Sequence, residues 1–155
     1  MDAANPRSTA RFMGHPIHPM LVPLPIAFFI GALLADLAYV KLDDPFWATA
    51  AAWLIGAGLA GAALAALAGL TDFLGEPRIR ALGDAWQHML GNVTIVVIEL
   101  INLILRWGHP AAALPSPGLY LSGAAVLLLA FTGWKGGNLV FRHGVGVLGP
   151  EEVSN

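Results

Sequence analysis

The chain of 155 residues is 57% hydrophobic and only 12% charged, whereas an average soluble domain carries about 25% charged residues. This composition argues against a soluble enzyme, and eight Lys and Arg against ten Asp and Glu argue against nucleic-acid binding through charge. Because the chain has no cysteine, disulfides, iron–sulfur clusters, thiolate zinc sites and covalently attached c-type haem are excluded.

Four apolar segments dominate the chain. A helix needs about 20 residues to cross the roughly 30 Å hydrocarbon core of a bilayer. The predicted spans are residues 19–40, 46–70, 85–105 and 118–134. They leave a polar N-terminal segment, 1–18, with a histidine-rich entry motif, and a Gly-rich tail, 135–155. The sequence therefore predicts an all-α fold, an antiparallel four-helix transmembrane bundle.

The basic residues predict the orientation of this bundle. The face that holds the N-terminus carries six of them, and the opposite face carries only Lys41 and Arg106. The six are Arg7, Arg11, Arg78, Arg80, Lys135 and Arg142. Because short cytoplasmic loops carry an excess of Lys and Arg, we expect both termini in the cytoplasm.

This topology gathers four of the five histidines at one face. His15 and His18 precede the first span, His88 lies in the first turn of the third, and His143 follows the fourth. Asp72, at the end of the second span, joins them. Since imidazole is the commonest metal ligand and titrates near neutral pH, the cluster is a candidate metal or proton site.

A b-type haem suits this cluster, because it takes two axial histidines from different segments and needs no cysteine. The most natural axial pair is His88 with either His15 or His18, and His143 is then a supporting ligand or belongs to a second site. Basic side chains on the same face suit the haem propionates: Arg11, Arg78, Arg80 and Arg142.

A non-haem Zn, Cu or Fe ion is the second interpretation. It would take three or four of the histidines His15, His18, His88 and His143, with Asp72 as a further ligand or a base. Such a site would serve transport or metal-assisted hydrolysis. The third interpretation is a non-catalytic membrane subunit, whose polar residues only hold helices together. The histidines would then be loop residues that hydrogen-bond to backbone or to lipid phosphate.

A polar stripe runs along the third span. Its members are spaced by four, seven, three and four residues, which places them on one helical face: His88, Asn92, Glu99, Asn102 and Arg106. Because such a stripe is costly against lipid, it should face the bundle interior. We expect Glu99 to be protonated or hydrogen-bonded to Asn102 or a neighbouring helix. The stripe is either a proton path or quinone contact leading toward His88, or a set of interhelical hydrogen bonds.

Several segments resemble one family. GHPIHPMLVPLPIA near the N-terminus, the region of Asp72, His88, and GWKGGNLVFRHGVGV near the C-terminus are similar to the domain-of-unknown-function 2231 family of predicted bacterial four-helix membrane proteins. The resemblance implies a multi-pass protein of the bacterial inner membrane, with motif positions His15, His18, Asp72, His88 and His143. Some relatives look fused to Rieske-type or c-type cytochrome modules, which implies electron transfer.

The leading functional hypothesis is therefore a small electron-transfer membrane protein with a b-type haem in the histidine cluster. Its expected partners are the lipid bilayer and a quinone or a redox protein, and a homo-oligomer stays open. No nucleic-acid partner is expected.

Overall fold

The structure, a computed structural model, describes residues 5–147. Four long helices make up most of this part: α2 (Pro23–Leu42), α3 (Pro45–Gly75), α5 (Gly83–Leu105) and α6 (Gly118–Phe141). Shorter elements connect them: strands β1 (Arg11–Phe12) and β2 (His15–Pro16), helices α1 (Ile17–Leu21) and α4 (Pro77–Arg80), and a 3-10 helix, Pro110–Ala113.

The predicted fold class is confirmed. Four helical stretches are long and apolar enough to cross a membrane, with α1 and α2 together forming the first. Large apolar side chains cover the outside of the bundle, as expected for helices that face lipid. The cytoplasmic position of both termini stays a prediction, and the acidic end of the predicted tail lies outside the described residues.

Two helices run further than the predicted spans. The second span was expected to end at residue 70, before Asp72, and the fourth at 134, before Lys135, but α3 continues to Gly75 and α6 to Phe141. These charged residues do not end the helices, because other groups of the protein bind their side chains. Asp72 accepts hydrogen bonds from the N-terminal segment, and Lys135 pairs with Asp84 on α5 at 2.9 Å.

Turn chemistry shapes the entry to the first span. β1 and β2 form a two-residue hairpin whose turn residues, Met13 and Gly14, both have positive φ, as a type I′ turn requires. α1 starts directly after the hairpin, so His18 lies inside the helical stretch rather than before it. α2 begins at Pro23, whose missing N–H separates it from α1.

The bundle consists of two helical hairpins. α2 packs on α3 in the first helical hairpin and α5 on α6 in the second, and the two meet through α2 against α6 and α3 against α5. Glycine permits close approach in the first, since a Cβ on Gly58 would lie 2.5 Å from the Phe29 ring. Phe29, Ile95 and Ala125 form an apolar core cluster between the hairpins.

The C-terminal segment closes one end of the bundle. Gly144 and Gly146 have positive φ, which lets the chain turn back after α6. The N–H of Gly146 donates to the Pro6 carbonyl at 2.9 Å, and Asn5 Nδ2 donates to the Val147 carbonyl at 3.2 Å. The two motif-rich ends of the chain are therefore joined to each other.

Candidate functional site

His18 lies on α1, which precedes the first helical hairpin and packs on its α3. Its Nδ1 lies 2.8 Å from the carbonyl oxygen of Ala65 on α3, and the residue is half-buried. One turn further along α3, a Cβ on Gly69 would lie 2.8 Å from the same Nδ1. The glycine therefore admits the ring, and the carbonyl fixes its orientation.

His88 repeats this arrangement in the second helical hairpin. Its Nδ1 lies 2.9 Å from the carbonyl oxygen of Thr132 on α6, and a Cβ on Gly136 would lie 3.0 Å from its Cε1. Asn92 Nδ2 donates to the His88 carbonyl at 2.7 Å. In both cases, an imidazole packs against a neighbouring helix, where a backbone carbonyl oxygen accepts its hydrogen bond and a glycine leaves room for the ring.

The two imidazoles lie close together between the two helical hairpins. Their ring centroids are 6.0 Å apart and the ring planes are 88° apart. A carbonyl oxygen can only accept, so Nδ1 of each ring carries a proton; in the neutral form of such a ring, Nε2 keeps its lone pair. A neutral imidazole oriented by an Nδ1–H bond to a carbonyl is the usual form of a metal-ligating histidine.

The other predicted ligands lie elsewhere. His15 is exposed on the β-hairpin of β1 and β2, with Nδ1 3.0 Å from the Met13 carbonyl oxygen. His143 Nε2 lies 3.1 Å from Asp84 Oδ2. Among residues 5–147, no group of three or more His, Asp or Glu side chains could hold a metal ion. The structure thus brings His18 and His88 together, without the third and fourth ligands that the sequence offered.

Asp72 is used for anchoring. Its Oδ1 accepts from the N–H groups of Thr9 and Ala10, both at 2.7 Å, and both of its oxygens accept from the Ser8 hydroxyl at 2.9 and 3.0 Å. A carboxylate with this many donors fixes the N-terminal segment to the end of α3.

Each of the four arginines expected at the haem propionates has its own contacts in the structure. Arg11 Nε donates to the Gly14 carbonyl at 3.1 Å, and Arg80 bonds carbonyl oxygens at the end of α3. Arg78 pairs with Glu76, and its hydrogen bonds lower the pKa of that carboxyl from 4.5 to about 2. Arg142 is exposed at the C-terminal end of α6.

Asp84 forms a polar cluster that the sequence analysis did not single out. It lies in the first turn of α5 and accepts from Lys135 at 2.9 Å, with His143 on its other oxygen. Asn138 Nδ2 donates to it at 3.4 Å. These contacts tie the end of α6 to the start of α5, on the side where His88 lies.

A buried ion pair occupies the other end of the bundle. Arg106 donates from Nη1 and Nη2 to the two oxygens of Asp36 at 2.6 and 2.8 Å, and both side chains are 0% exposed. The Ser122 hydroxyl donates to Asp36 Oδ2 at 2.7 Å. A Cβ on Gly118 would lie 2.7 Å from the guanidinium, so glycine makes room for it.

The sequence placed Arg106 on the face opposite the N-terminus and at the end of the inward-facing stripe, but its pairing with Asp36 was not predicted. The signal was present, since Asp36 is the one charge within the first predicted span, and Arg106 directly follows the third. Two opposite charges at matching depth in a membrane bundle are each costly alone and favour pairing.

The polar stripe of α5 is buried at one end. Glu99 and Asn102 are both 0% exposed, and Asn102 Nδ2 donates to Glu99 Oε2 and to the Ser122 hydroxyl, both at 3.0 Å. Between Glu99 and Asn92 lies the apolar core cluster of Phe29, Ile95 and Ala125. The stripe therefore consists of two polar groups, one at His88 and one at Arg106, with an apolar layer between them.

Comparison with known proteins agrees with the fold. The model of a family described as "Predicted membrane protein (DUF2231)" matches residues 14–149, a stretch that includes all four long helices and both histidines of the pair. Comparison with curated proteins and with solved structures gives no match. The chain belongs to the DUF2231 family of predicted membrane proteins.

Proposed function

We propose that this chain is a small membrane electron-transfer protein in which His18 and His88 would hold the iron of a b-type haem. The observation that carries the proposal is the 6.0 Å separation of the two ring centroids. Two iron–nitrogen bonds of about 2 Å, with each ring centre about 1 Å beyond its nitrogen, require roughly 6 Å. The spacing therefore suits one metal ion held from both sides.

The protein's own groups prepare the two nitrogens. The carbonyls of Ala65 and Thr132 accept the Nδ1 protons of His18 and His88, which would leave Nε2 of each ring as the metal-binding nitrogen and raise its basicity. When bound, haem supplies a one-electron couple whose potential depends on its axial ligands and on burial. One ligand comes from α1 and the other from α5, and the exposed Arg142 is the proposed partner of a propionate.

Electron transfer also requires a donor and an acceptor. A four-helix bundle in a bilayer has its longest surface against lipid, which favours a membrane quinone on one side of the transfer. A redox protein docking at the aqueous end would serve on the other. Both partners remain part of the proposal.

A single Zn, Cu or Fe ion is the second candidate, and the same distance supports it. The two rings already lie at the separation that one ion requires, so such an ion needs no porphyrin-sized space between the hairpins. Imidazole nitrogen suits all three metals. Residues 5–147 offer two protein ligands at this place, so water or another small ligand would complete the coordination.

The absorption spectrum of the purified full-length protein separates these candidates. Haem gives an intense Soret band that shifts on reduction, and His18→Ala and His88→Ala should each abolish it. His15→Ala is the matched control, because His15 lies three residues from His18 but is exposed; it should keep the band. Colourless protein with stoichiometric metal would select the second candidate. Protein with neither haem nor metal would overturn both.

A further inference from the structure

The interior of the bundle holds three ionisable groups that the proposed electron transfer does not use. Asp36 from α2 and Arg106 at the end of α5 form a bidentate pair with opposite charges. The third group is Glu99 on α5, one helical turn before Asn102 and 0% exposed. With the pair neutral overall, Glu99 alone determines whether this cluster carries net charge.

The two oxygens of Glu99 differ in their surroundings. Oε2 accepts a hydrogen bond from Asn102 Nδ2 at 3.0 Å. Oε1 is the one buried side-chain nitrogen or oxygen without a hydrogen-bond partner in the described part of the chain. The Arg106 guanidinium does not supply one: its Nη1 and Nη2 donate to Asp36, Nη2 also lies 3.5 Å from the Ser122 hydroxyl, and its Nε donates to Asn102 Oδ1 at 2.9 Å.

An ionised Glu99 would place a net negative charge, with one bare oxygen, inside the membrane bundle. An unpaired charge is strongly disfavoured there, because neither water nor a counter-ion compensates for its desolvation. A protonated Glu99 avoids this cost, because Oε2 then acts as the carbonyl oxygen toward Asn102 and Oε1 carries the hydrogen. We propose that Glu99 is a proton-binding site of the bundle interior and holds one exchangeable proton on Oε1.

Neighbouring helices bring no other charge to this site. α3 has no titratable side chain between Pro45 and Thr71. On α6, the uncharged Ser122 accepts a hydrogen bond from Asn102, and Tyr120 is 71% exposed and so lies on the outside of the bundle. The groups that face Glu99 are therefore the Asp36–Arg106 pair.

The site is separate from the histidine pair. The apolar cluster of Phe29, Ile95 and Ala125 lies between Glu99 and Asn92, whereas Asn102 and Ser122 link Glu99 to Arg106 at the end of α5. The hydrogen bonds of Glu99 therefore connect it to the Arg106 end of the bundle rather than to the histidine pair. This inference does not depend on haem or metal at His18 and His88.

Infrared spectroscopy of the full-length protein in lipid bilayers tests the proposal. At neutral pH, a carboxylic-acid C=O band that shifts in D2O should be present, and Glu99→Gln should remove it. The matched control is Glu76→Gln, since Glu76 pairs with Arg78 outside the spans and is ionised; it should leave the band unchanged. A band that persists in Glu99→Gln would overturn the assignment, as would a carboxylate band of Glu99 that shifts with sodium concentration.

A second measurement needs no variant. The chain has four glutamates, Glu76, Glu99, Glu151 and Glu152, so solid-state NMR with side-chain-labelled glutamate should show one protonated and three ionised carboxyls at neutral pH. Four ionised carboxyls would contradict the proposal, even if Glu99→Gln fails to fold. Because of the apolar layer, Glu99→Gln should leave any Soret band or metal content of the histidine pair unchanged. Failure of the proton-site proposal is thus distinguishable from failure of the electron-transfer proposal.

Discussion

Replacing one member of the buried ion pair should cost far more stability than removing an exposed charge. Asp36→Ala removes the carboxylate that accepts two hydrogen bonds from Arg106 and one from Ser122. The guanidinium, 0% exposed, would then be charged without its counter-ion in the bundle interior. Breaking a buried pair in this way costs about 3–5 kcal/mol, which lowers the folding equilibrium constant by roughly two to four orders of magnitude.

The assay is reversible unfolding in mixed micelles, titrated with SDS and followed by circular dichroism. Arg106→Met should show a loss similar to that of Asp36→Ala. The double variant Asp36→Leu/Arg106→Met should recover most of it, because an apolar pair of similar volume leaves no charge behind. Arg142→Met is the matched control, since Arg142 also follows the last residue of a long helix but is exposed. Single variants within about 0.5 kcal/mol of the wild type would refute the burial argument.

The remaining predictions concern three other contacts. Gly136→Ala should lower haem or metal content, because its Cβ would press on the His88 ring. Gly133→Ala should not, because no atom lies within 4 Å of a Cβ at that position. Equal losses in the two variants would show that the space beside the His88 ring does not matter for binding. Asp72→Ala should release the segment 8–10, seen as faster proteolytic cleavage there, and unchanged cleavage would show that other contacts hold it. The pKa of Glu76 is lowered to about 2, so its ionised form stabilises the fold fully above pH 4.5, and this contribution is lost as the pH falls toward 2. Glu76→Gln should therefore make the free energy of unfolding depend less on pH between 4.5 and 2. An unchanged pH dependence in the variant would contradict the assignment.

Hydropathy carried most of the fold. The four apolar segments are long enough to cross a bilayer and separated by charges or prolines, so their number and antiparallel order follow from length and composition. Their ends were less predictable, because a charge such as Asp72 ends a span only when water, rather than another part of the protein, supplies its hydrogen bonds.

The candidate site was predictable in part. The sequence placed His18 and His88 at the start of two different spans, and the structure brings their rings together. It could not show that His143 turns to Asp84, because that depends on how the chain folds back after α6. Nor could it show that Ile95 belongs to an apolar layer, since a helical stripe records spacing but not what the opposite helices bring to it.

The electron paramagnetic resonance spectrum of the oxidised protein tests most directly whether His18 and His88 hold one iron. Two axial imidazoles with ring planes near 88° should give a strongly anisotropic low-spin ferric signal, which His18→Ala and His88→Ala each abolish and His15→Ala retains. A low-spin signal that survives in both pair variants would contradict the account, as would a high-spin ferric haem in the wild type.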